Sequence, residues 1–300
     1  MIRVGTAPIS WGVSEMPDWG QVLPPGLVLD EMAATGYAGT ELGPWGYLPE
    51  NVDQLRADLD RRGLALIGGF CPVTLHRPEQ ADGQRQFALD VARRLRDLGA
   101  AVLVLAEAGD AERLAAAGHV TPGSTPAFSD EDWRRFAAGA AAIAAAARDL
   151  GLATAFHPHV GSYVETEGEV EELLRRTDAT LVGLCVDTGH LAYAGADPVA
   201  MTRRHRDRVA HVHLKDVSAA VLAQARAEGW SFAEAVGRGI FVPLGDGMVN
   251  LPAVQAALAA AGYDGWVVVE QDSRLLAAEQ RTLPRLQAQR SWETLRGLGL

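Results

Sequence analysis

A strand-like apolar run followed by a longer helix-like stretch recurs about eight times in this chain of 300 residues, and this repetition constrains the fold most. The runs are nearly continuous in apolar character, which is typical of strands in a parallel sheet that is covered on both faces. The pattern predicts eight strands, at residues 2–7, 37–42, 64–70, 101–106, 153–157, 181–187, 209–214 and 265–270.

The helix-like segments carry signals at both ends. Ser129 precedes one of them and can cap its first turn, and Asp132 follows three residues later. Several segments end in glycine, which readily adopts the left-handed conformation that terminates a helix. Such glycines occur at positions 36, 63, 99, 151 and 262.

Eight β-then-α units without a low-complexity linker favour a single domain over residues 1–300. The expected architecture is α/β, a closed (β/α)8 or TIM barrel. An open doubly wound sheet has similar local signals and is the alternative. Residues 218–248 follow the seventh strand and are too long for an ordinary βα loop, so we expect an insertion of a helix plus a loop at the barrel mouth, where it would help to enclose a substrate.

Charge and hydropathy disfavour several classes of function. The formal net charge of −11 opposes binding to nucleic acid or to an anionic membrane surface. No apolar run approaches the roughly 20 residues of a membrane span, and the N-terminal residues lack a signal-peptide pattern, so a cytoplasmic protein is expected. Cys71 and Cys185 lie in apolar runs without the spacing of a metal or redox motif, which predicts buried, reduced thiols. The sequence leaves a homo-oligomer open.

Residues that can bind a metal recur where the predicted strands end. Strand five ends in His157, strand six in Asp187 and strand eight in Glu270, and strand seven carries His213. The carboxyl ends of barrel strands converge on one mouth, so these side chains can meet although they are distant in sequence. A single histidine in an apolar run is more often a core residue than a ligand. Together, however, these imidazoles and carboxylates are the donors that suit a divalent metal ion.

Further polar residues are expected around the same mouth. His211 lies two residues before His213 and therefore on the same face of its strand, but deeper in the barrel. His190 follows Asp187 by three residues, a spacing that favours a position over the mouth and a role beside the metal rather than on it. Glu41 and Glu107 follow strands two and four.

Three strand-end motifs resemble the xylose-isomerase-like TIM barrel superfamily of sugar isomerases, epimerases and dehydratases. These are CVDTGH on strand six, HVHLKD on strand seven and VVVEQD on strand eight, and the resemblance covers essentially the whole chain. Within that superfamily, four stretches are similar to myo-inosose dehydratases, which dehydrate 2-keto-myo-inositol. They are TAPISWG, FHPHVGSYVET, DTGHLAYAGADP and RAEGWSFAEAVGRGIFVPLGDG.

The resemblance implies one divalent ion held by Glu, Asp, His and Glu from strands five to eight. Asp187, His213 and Glu270 match this set, whereas His157 stands where many members have the strand-five glutamate. The candidates for the fourth ligand are, in order, His157, His159 and Glu165. The missing glutamate disfavours an epimerase mechanism in which two carboxylates serve opposite faces of one carbon.

The resemblance further implies a metal-dependent lyase that dehydrates a cyclic polyol ketone such as 2-keto-myo-inositol through a metal-stabilised enediolate. Mn²⁺ or Co²⁺ is the preferred ion, and Zn²⁺ or Mg²⁺ is the alternative. His190, His157 or His159 would be the acid for the leaving hydroxyl, and Lys215 would orient a substrate oxygen. The expected catalytic residues are Glu270, His190, His157 and Lys215. The expected substrate contacts are Trp11, Glu41, Glu107, His159 and Glu165, with a packing role equally open for Trp11.

Other functions fit the sequence less well. A metal-dependent isomerase or epimerase of a free or phosphorylated ketose would use the same site and is the main alternative. Dinucleotide binding is disfavoured because no G-x-G-x-x-G motif follows a predicted strand. Metal-dependent hydrolysis of phosphodiesters is disfavoured by the acidic net charge and by the lack of a clear basic groove.

Overall fold

The computed structural model describes residues 2–300 and contains all eight predicted strands, arranged in parallel. Their near-continuous apolar sequences suit burial on both faces, as expected for a barrel surrounded by helices. The strands are β1 (Arg3–Thr6), β2 (Gly39–Thr40), β3 (Ala65–Leu66 and Gly68–Val73), β4 (Val102–Glu107), β5 (Ala153–Phe156), β6 (Val182–Asp187), β7 (Val209–Leu214) and β8 (Trp266–Val269).

The sheet closes on itself, which confirms the predicted barrel. β8 pairs with β1, where Val267 lies opposite Val4. β3 is interrupted at Ile67 and pairs with β2 through its first part and with β4 through its second. At the interruption, the N–H of Ile67 donates to the carbonyl of Thr40 (2.9 Å), and its own carbonyl accepts from Ala101 (3.2 Å). An open doubly wound sheet is therefore excluded.

Helices follow the strands and end largely where the sequence predicts. The Ser129 hydroxyl and the Asp132 carboxylate form a capping box at the start of the helix Asp130–Asp149. All five glycines named as helix ends have a positive φ. None of the described helices is both long enough and apolar enough to cross a membrane. The helices are α1 (Pro25–Thr35), α2 (Val52–Asp60), α3 (Pro78–Asp97), α4 (Ala111–Ala115), α5 (Asp130–Asp149), α6 (Glu167–Arg176), α7 (Thr188–Tyr193), α8 (Pro198–Arg204), α9 (Ala219–Glu228), α10 (Phe232–Gly237), α11 (Leu251–Ala260) and α12 (Leu283–Gly297).

Side chains along β6 point alternately toward the surrounding helices and into the barrel. Leu184 and Val186 pack in the large apolar cluster that includes the helices, whereas Cys185 packs with Val104 and Ala155 inside the barrel. Asp187, two residues beyond Cys185, therefore lies on the interior face at the carboxyl end of the strand. Both cysteines of the chain are buried and unpaired, as predicted.

The insertion after β7 contains two helices, α9 and α10, rather than the single helix that we expected. It is tied down by a short antiparallel pair, in which Phe241–Val242 lies against Asp216–Val217. The buried Asp216 carboxylate accepts backbone N–H groups of Gly245, Gly247 and Val249, at 2.9 to 3.0 Å. These bonds fix the end of the insertion beside β7, so that α10 lies next to the barrel mouth.

Candidate active site

Four buried side chains from consecutive strands converge at the mouth. His157, Asp187, His213 and Glu270 each place a donor atom within 4.8 Å of the donor atoms of the other three. Asp187 Oδ2 lies 3.2 Å from His157 Nε2 and 3.6 Å from His213 Nδ1, which is 3.2 Å from Glu270 Oε2. This arrangement follows from β5 to β8 being neighbours in the barrel, each ending in a donor residue.

His213 is oriented by Glu41, which directly follows β2. One oxygen of Glu41 accepts hydrogen bonds from Nε2 of His213 (3.0 Å) and Nε2 of His211 (2.7 Å). Burial alone would raise the pKa of Glu41, but the two imidazoles lower it below its usual range. Nδ1 of His213 is buried and has no hydrogen-bond partner within residues 2–300. It is therefore free to bind an ion at the four-residue group.

Lys215 is the cation of the cluster. Its buried Nζ lies 2.6 Å from Asp272 Oδ1, 3.1 Å from Glu270 Oε2 and 3.4 Å from Asp187 Oδ2. Burial works against its charged form, but the three carboxylates raise its pKa above the usual value. One ammonium group thus faces three buried carboxylates, so the cluster still carries an excess of negative charge that a bound cation would balance.

The cluster forms the floor of a cavity of about 320 Å³. Its walls are partly aromatic. Phe232 of α10 stacks on Trp19, with ring centroids 6.1 Å apart, and Phe70 of β3 contributes from the opposite side. Arg274, in the loop after β8, holds this wall by donating to the carbonyls of Trp19 (2.8 Å) and Ala233 (2.9 Å). The cavity combines charged groups on the floor with apolar walls, as small-molecule sites commonly do.

His159 and His190 lie next to the four-residue group, with ring centroids 4.0 Å apart. Each places a nitrogen within 4.8 Å of the other and of the Asp272 carboxylate. Burial lowers the pKa of His159 to about 3, and burial also lowers that of His190 well below its usual value. Both imidazoles are therefore neutral near pH 7. His190 lies beside the four-residue group rather than in it, as its spacing from Asp187 predicts.

Two predicted contact residues lie away from this cavity. Trp11 is fully buried in the core, where its Nε1 donates to Glu31 of α1 (2.7 Å). Glu165 borders a separate cavity, and its carboxylate accepts the N–H groups of Gly118 (2.8 Å) and Gly161 (2.6 Å). Neither residue lines the cavity above the four-residue group, and their predicted substrate contacts stay predictions. The four-residue group contains His157 and not Glu165, which agrees with the order in which we ranked the candidates for the fourth ligand.

Glu107 borders the cavity, but its carboxylate mainly accepts hydrogen bonds from the backbone of two neighbouring loops. It lies on the same face of β4 as Leu103 and Leu105, which pack outward. Its Oε2 accepts the N–H groups of Gly109 (2.9 Å) and Tyr163 (2.7 Å). Burial raises the pKa of Glu107 to about 7. Its main observed role is to join two loops, and the predicted substrate contact stays a prediction.

Sequence reasoning did not assign roles to several residues of the site. Asp272 follows Glu270 by two residues, a spacing that would have placed it on the same face of an extended segment. Trp19 and Phe232 carried no such signal, because they enter from a loop and from the insertion. Cys185 lies within 4.8 Å of the ring nitrogens of His157 and His213, directly beneath the site.

Comparison with known proteins agrees with this geometry. The family model described as "Xylose isomerase-like TIM barrel" matches residues 29–295. The chain belongs to this family. The resemblance inferred from the strand-end motifs is therefore confirmed.

Curated relatives of the family share about one third of their residues with this chain. The rhizopine catabolism protein MocC of Rhizobium meliloti is 37% identical over 271 residues, which span 90% of this chain and 82% of MocC. Inosose dehydratase of Lacticaseibacillus casei is 33% identical over 273 residues, covering 90% of each protein. Inosose dehydratase of Geobacillus kaustophilus is 33% identical over 290 residues, covering 95% of this chain and 92% of that enzyme.

Solved structures of the family share the fold at lower identity. An IOLI protein with a binding zinc atom superposes with a TM-score of 0.72 at 16% identity, over 99% of this chain and 98% of that one. An L-ribulose 3-epimerase gives a TM-score of 0.69 at 17% identity, over 100% of this chain and 95% of the epimerase. At these identities the comparison establishes the barrel fold and nothing finer.

Proposed function

We propose that this chain is a divalent-metal-dependent hydro-lyase that dehydrates a cyclic polyol ketone such as 2-keto-myo-inositol. The observation that carries the proposal is the convergence of His157, Asp187, His213 and Glu270 at the floor of the cavity in the barrel mouth. Sequence comparison supports the proposal, because about one third of the aligned residues are identical to those of inosose dehydratases over 90% or more of this chain. A cytoplasmic location stays a prediction from the sequence.

The residues present fit a divalent cation. The four donors are two imidazoles and two carboxylates. Mixed nitrogen and oxygen donors of this kind suit Mn²⁺, Co²⁺ or Zn²⁺, whereas Mg²⁺ prefers sites made of oxygen donors alone. The unpartnered Nδ1 of His213 points into the group, and Glu41 holds its other nitrogen, an arrangement that usually accompanies a metal-bound histidine. We infer that Mn²⁺ or Co²⁺ is the working ion. Bound there, it would supply Lewis-acid stabilisation of the negative charge that develops on the substrate ketone.

The chain's own groups supply the rest of the chemistry. Lys215, held by Asp272 and Glu270, presents a fixed positive charge that orients a substrate oxygen. The neutral imidazoles of His159 and His190 border the same space and provide sites for proton transfer and hydrogen bonding. The wall of Trp19 and Phe232 covers the mouth and limits the access of water, which strengthens the electrostatic interactions inside.

The same site could serve a ketose isomerase or epimerase, and the strand-five residue argues against the epimerase. Two-base epimerisation at one carbon needs a carboxylate on each side of it. Here the residue after β5 is His157, an imidazole, so a carboxylate pair from β5 and β8 is lacking. Elimination of water does not need a symmetric pair of carboxylates.

The test is an assay of the metal-reconstituted protein with 2-keto-myo-inositol. We expect the ultraviolet absorbance of a conjugated dione to appear with Mn²⁺ or Co²⁺ and to be lost with a chelator. A panel of free and phosphorylated ketoses is assayed in parallel. No absorbance change with the inosose, together with ready interconversion of a ketose, would replace the dehydratase by an isomerase.

The metal site has its own test. Asp187→Asn should abolish stoichiometric binding of Mn²⁺ or Co²⁺, measured by elemental analysis after gel filtration, because Asp187 lies at the centre of the group. Asp197→Asn is the matched control, since Asp197 caps α8 outside the cavity. A normal metal content in Asp187→Asn would refute the site itself.

A further inference from the structure

Arg274 joins two separate segments of the cavity wall. It follows β8, and its guanidinium donates to the backbone carbonyls of Trp19 (2.8 Å) and Asp18 (3.3 Å), which belong to the loop after β1. It also donates to the carbonyl of Ala233 (2.9 Å), in the first turn of α10. The loop after β1 and the insertion after β7 are therefore held together by one side chain that neither of them contains.

These contacts use the planar fork of arginine rather than its charge. Nε, Nη1 and Nη2 of Arg274 each donate to a different carbonyl, and the side chain forms no salt bridge within residues 2–300. The guanidinium also lies over the ring of Trp19, 5.1 Å from its centroid. A lysine carries a single nitrogen and could not span carbonyls from two segments, so this contact requires arginine.

The loop that Arg274 holds contains a disfavoured backbone conformation. Asp18 has a φ of 54°, and it is the one residue other than glycine with a positive φ among those that the structure describes. Such a conformation persists where the surroundings fix it, and here the carbonyl of the same residue accepts from Arg274. The contact thus helps to set the shape of the loop and the position of Trp19, the next residue.

The two joined segments place aromatic rings beside the four-residue group. Trp19 and Phe232 are almost fully buried, line the cavity and stack with an interplanar angle of 27°. Phe232 also packs on the imidazoles of His190 and His159, with centroid distances of 5.9 Å and 5.5 Å. A shift of the first turn of α10 would therefore move an apolar surface of the cavity while leaving the four-residue group in place.

Two adjoining aromatic rings offer a surface that suits a cyclic substrate. A saturated ring presents C–H bonds on its faces and most of its hydroxyls around its edge, so one face can pack on aromatic carbon while the hydroxyls meet the charged floor. An open-chain polyol has no fixed apolar face, and it loses more conformational freedom when it binds. The aromatic wall thus favours a ring over a chain with the same number of hydroxyls.

We propose that Arg274 is a positioning residue that determines the preference of this site for cyclic substrates. It locks the loop after β1 to α10, and this contact holds Trp19 and Phe232 against the face of the substrate ring. The inference rests on the proposed function, because it concerns how the cyclic polyol ketone is bound. It assigns a role to a residue that does not itself line the cavity.

The test compares ring and chain ligands on the Mn²⁺-loaded protein by calorimetry. The probes are myo-inositol and sorbitol, which carry the same number of carbons and of hydroxyls. Wild type should bind myo-inositol at least about 10-fold more tightly than sorbitol, since apolar contacts equal to one or two methylene groups discriminate by about that factor. In Arg274→Gln and Arg274→Lys this preference should fall to about threefold or less, because neither side chain can join the two segments.

Kinetics with 2-keto-myo-inositol separate positioning from a loss of structure. In both variants KM should rise about 10-fold while kcat changes by less than about threefold, because the contact contributes to binding throughout the reaction. A partly unfolded variant would instead lower kcat at an unchanged KM, and that result would contradict a positioning role. Arg238→Gln is the matched control and should keep the wild-type KM, since Arg238 lies over the ring of Trp230 at the other end of α10 and does not line the cavity.

Phe232→Leu is a second variant that decides the matter if the Arg274 variants do not fold. It removes one ring of the wall and leaves Arg274 in place, so it should lose the preference for myo-inositol in the same way. An unchanged preference in Phe232→Leu, or wild-type binding in Arg274→Lys, would overturn the inference. So would a wild type that does not bind myo-inositol more tightly than sorbitol. If wild type does not dehydrate the inosose, the proposed function fails, whereas the calorimetric comparison still decides the role of Arg274.

Discussion

Glu41→Gln should weaken metal binding although Glu41 is not a member of the four-residue group. The substitution preserves the shape of a side chain that is buried, with 1% exposure, but removes its charge. The affected contacts are the two bonds from His211 Nε2 (2.7 Å) and His213 Nε2 (3.0 Å) to one Glu41 oxygen. Of these, the bond to His213 matters for the metal, because it fixes the tautomer that leaves Nδ1 free.

The size of the effect follows from that bond. A hydrogen bond to a charged acceptor is roughly twice as strong as one to a neutral acceptor, so the amide should forfeit about 1–2 kcal/mol of support for His213. At about 1.4 kcal/mol per factor of ten, this corresponds to a rise in the Kd for the metal of about 10-fold or more. Loss of an outer carboxylate partner commonly weakens metal affinity by about 10- to 100-fold, in the same range.

The assay is calorimetric titration of the metal-free chain with Mn²⁺ or Co²⁺. Glu31→Gln is a matched control, because Glu31 also accepts an aromatic ring N–H, from Trp11 at 2.7 Å, but lies outside the cavity. The control should keep the wild-type Kd. A Kd for Glu41→Gln within about twofold of wild type would refute the argument that Glu41 orients His213.

Three further predictions concern stability. Glu169→Gln should lower the free energy of unfolding by about 3 kcal/mol in urea titrations, because it leaves the fully buried Arg113 guanidinium unpaired. Glu171→Gln, which breaks an exposed pair, should cost less than about 1 kcal/mol. Burial raises the pKa of Glu165 to about 7, so its stabilising contribution is complete below its unfolded value of 4.5 and is lost as pH rises through 7. Relative to wild type, Glu165→Gln should therefore gain up to about 3 kcal/mol between pH 4.5 and pH 8, and a constant difference would contradict this. Removal of the metal with a chelator should lower the Tm, because Asp187 and Glu270 would then face each other without the ion, and an unchanged Tm would argue against a tightly bound ion.

Much of the site could be predicted because it depends on strand ends. Asp187, His213 and Glu270 each lie at or near the carboxyl end of a strand, and a parallel barrel brings such positions together whatever their separation in sequence. His157 followed from the same argument. Trp11 and Trp19 could not be distinguished in this way, because both lie outside the strands and only the packing around them decides which one meets the cavity.

Local patterns in the sequence determined the eight strands, the glycines that end the helices and the residue types at the mouth, since alternation and capping act over a few neighbouring residues. The tertiary structure alone decided what each polar side chain does. Glu41 meets His213 across 172 residues of sequence, and Glu165 instead binds two backbone N–H groups in a separate cavity. Likewise, the N–H of Val160 meets Nδ1 of His190 across 30 residues of sequence. Hydrogen bonds between distant segments exist only once the chain has closed into a barrel, so no pattern of neighbouring residues encodes them.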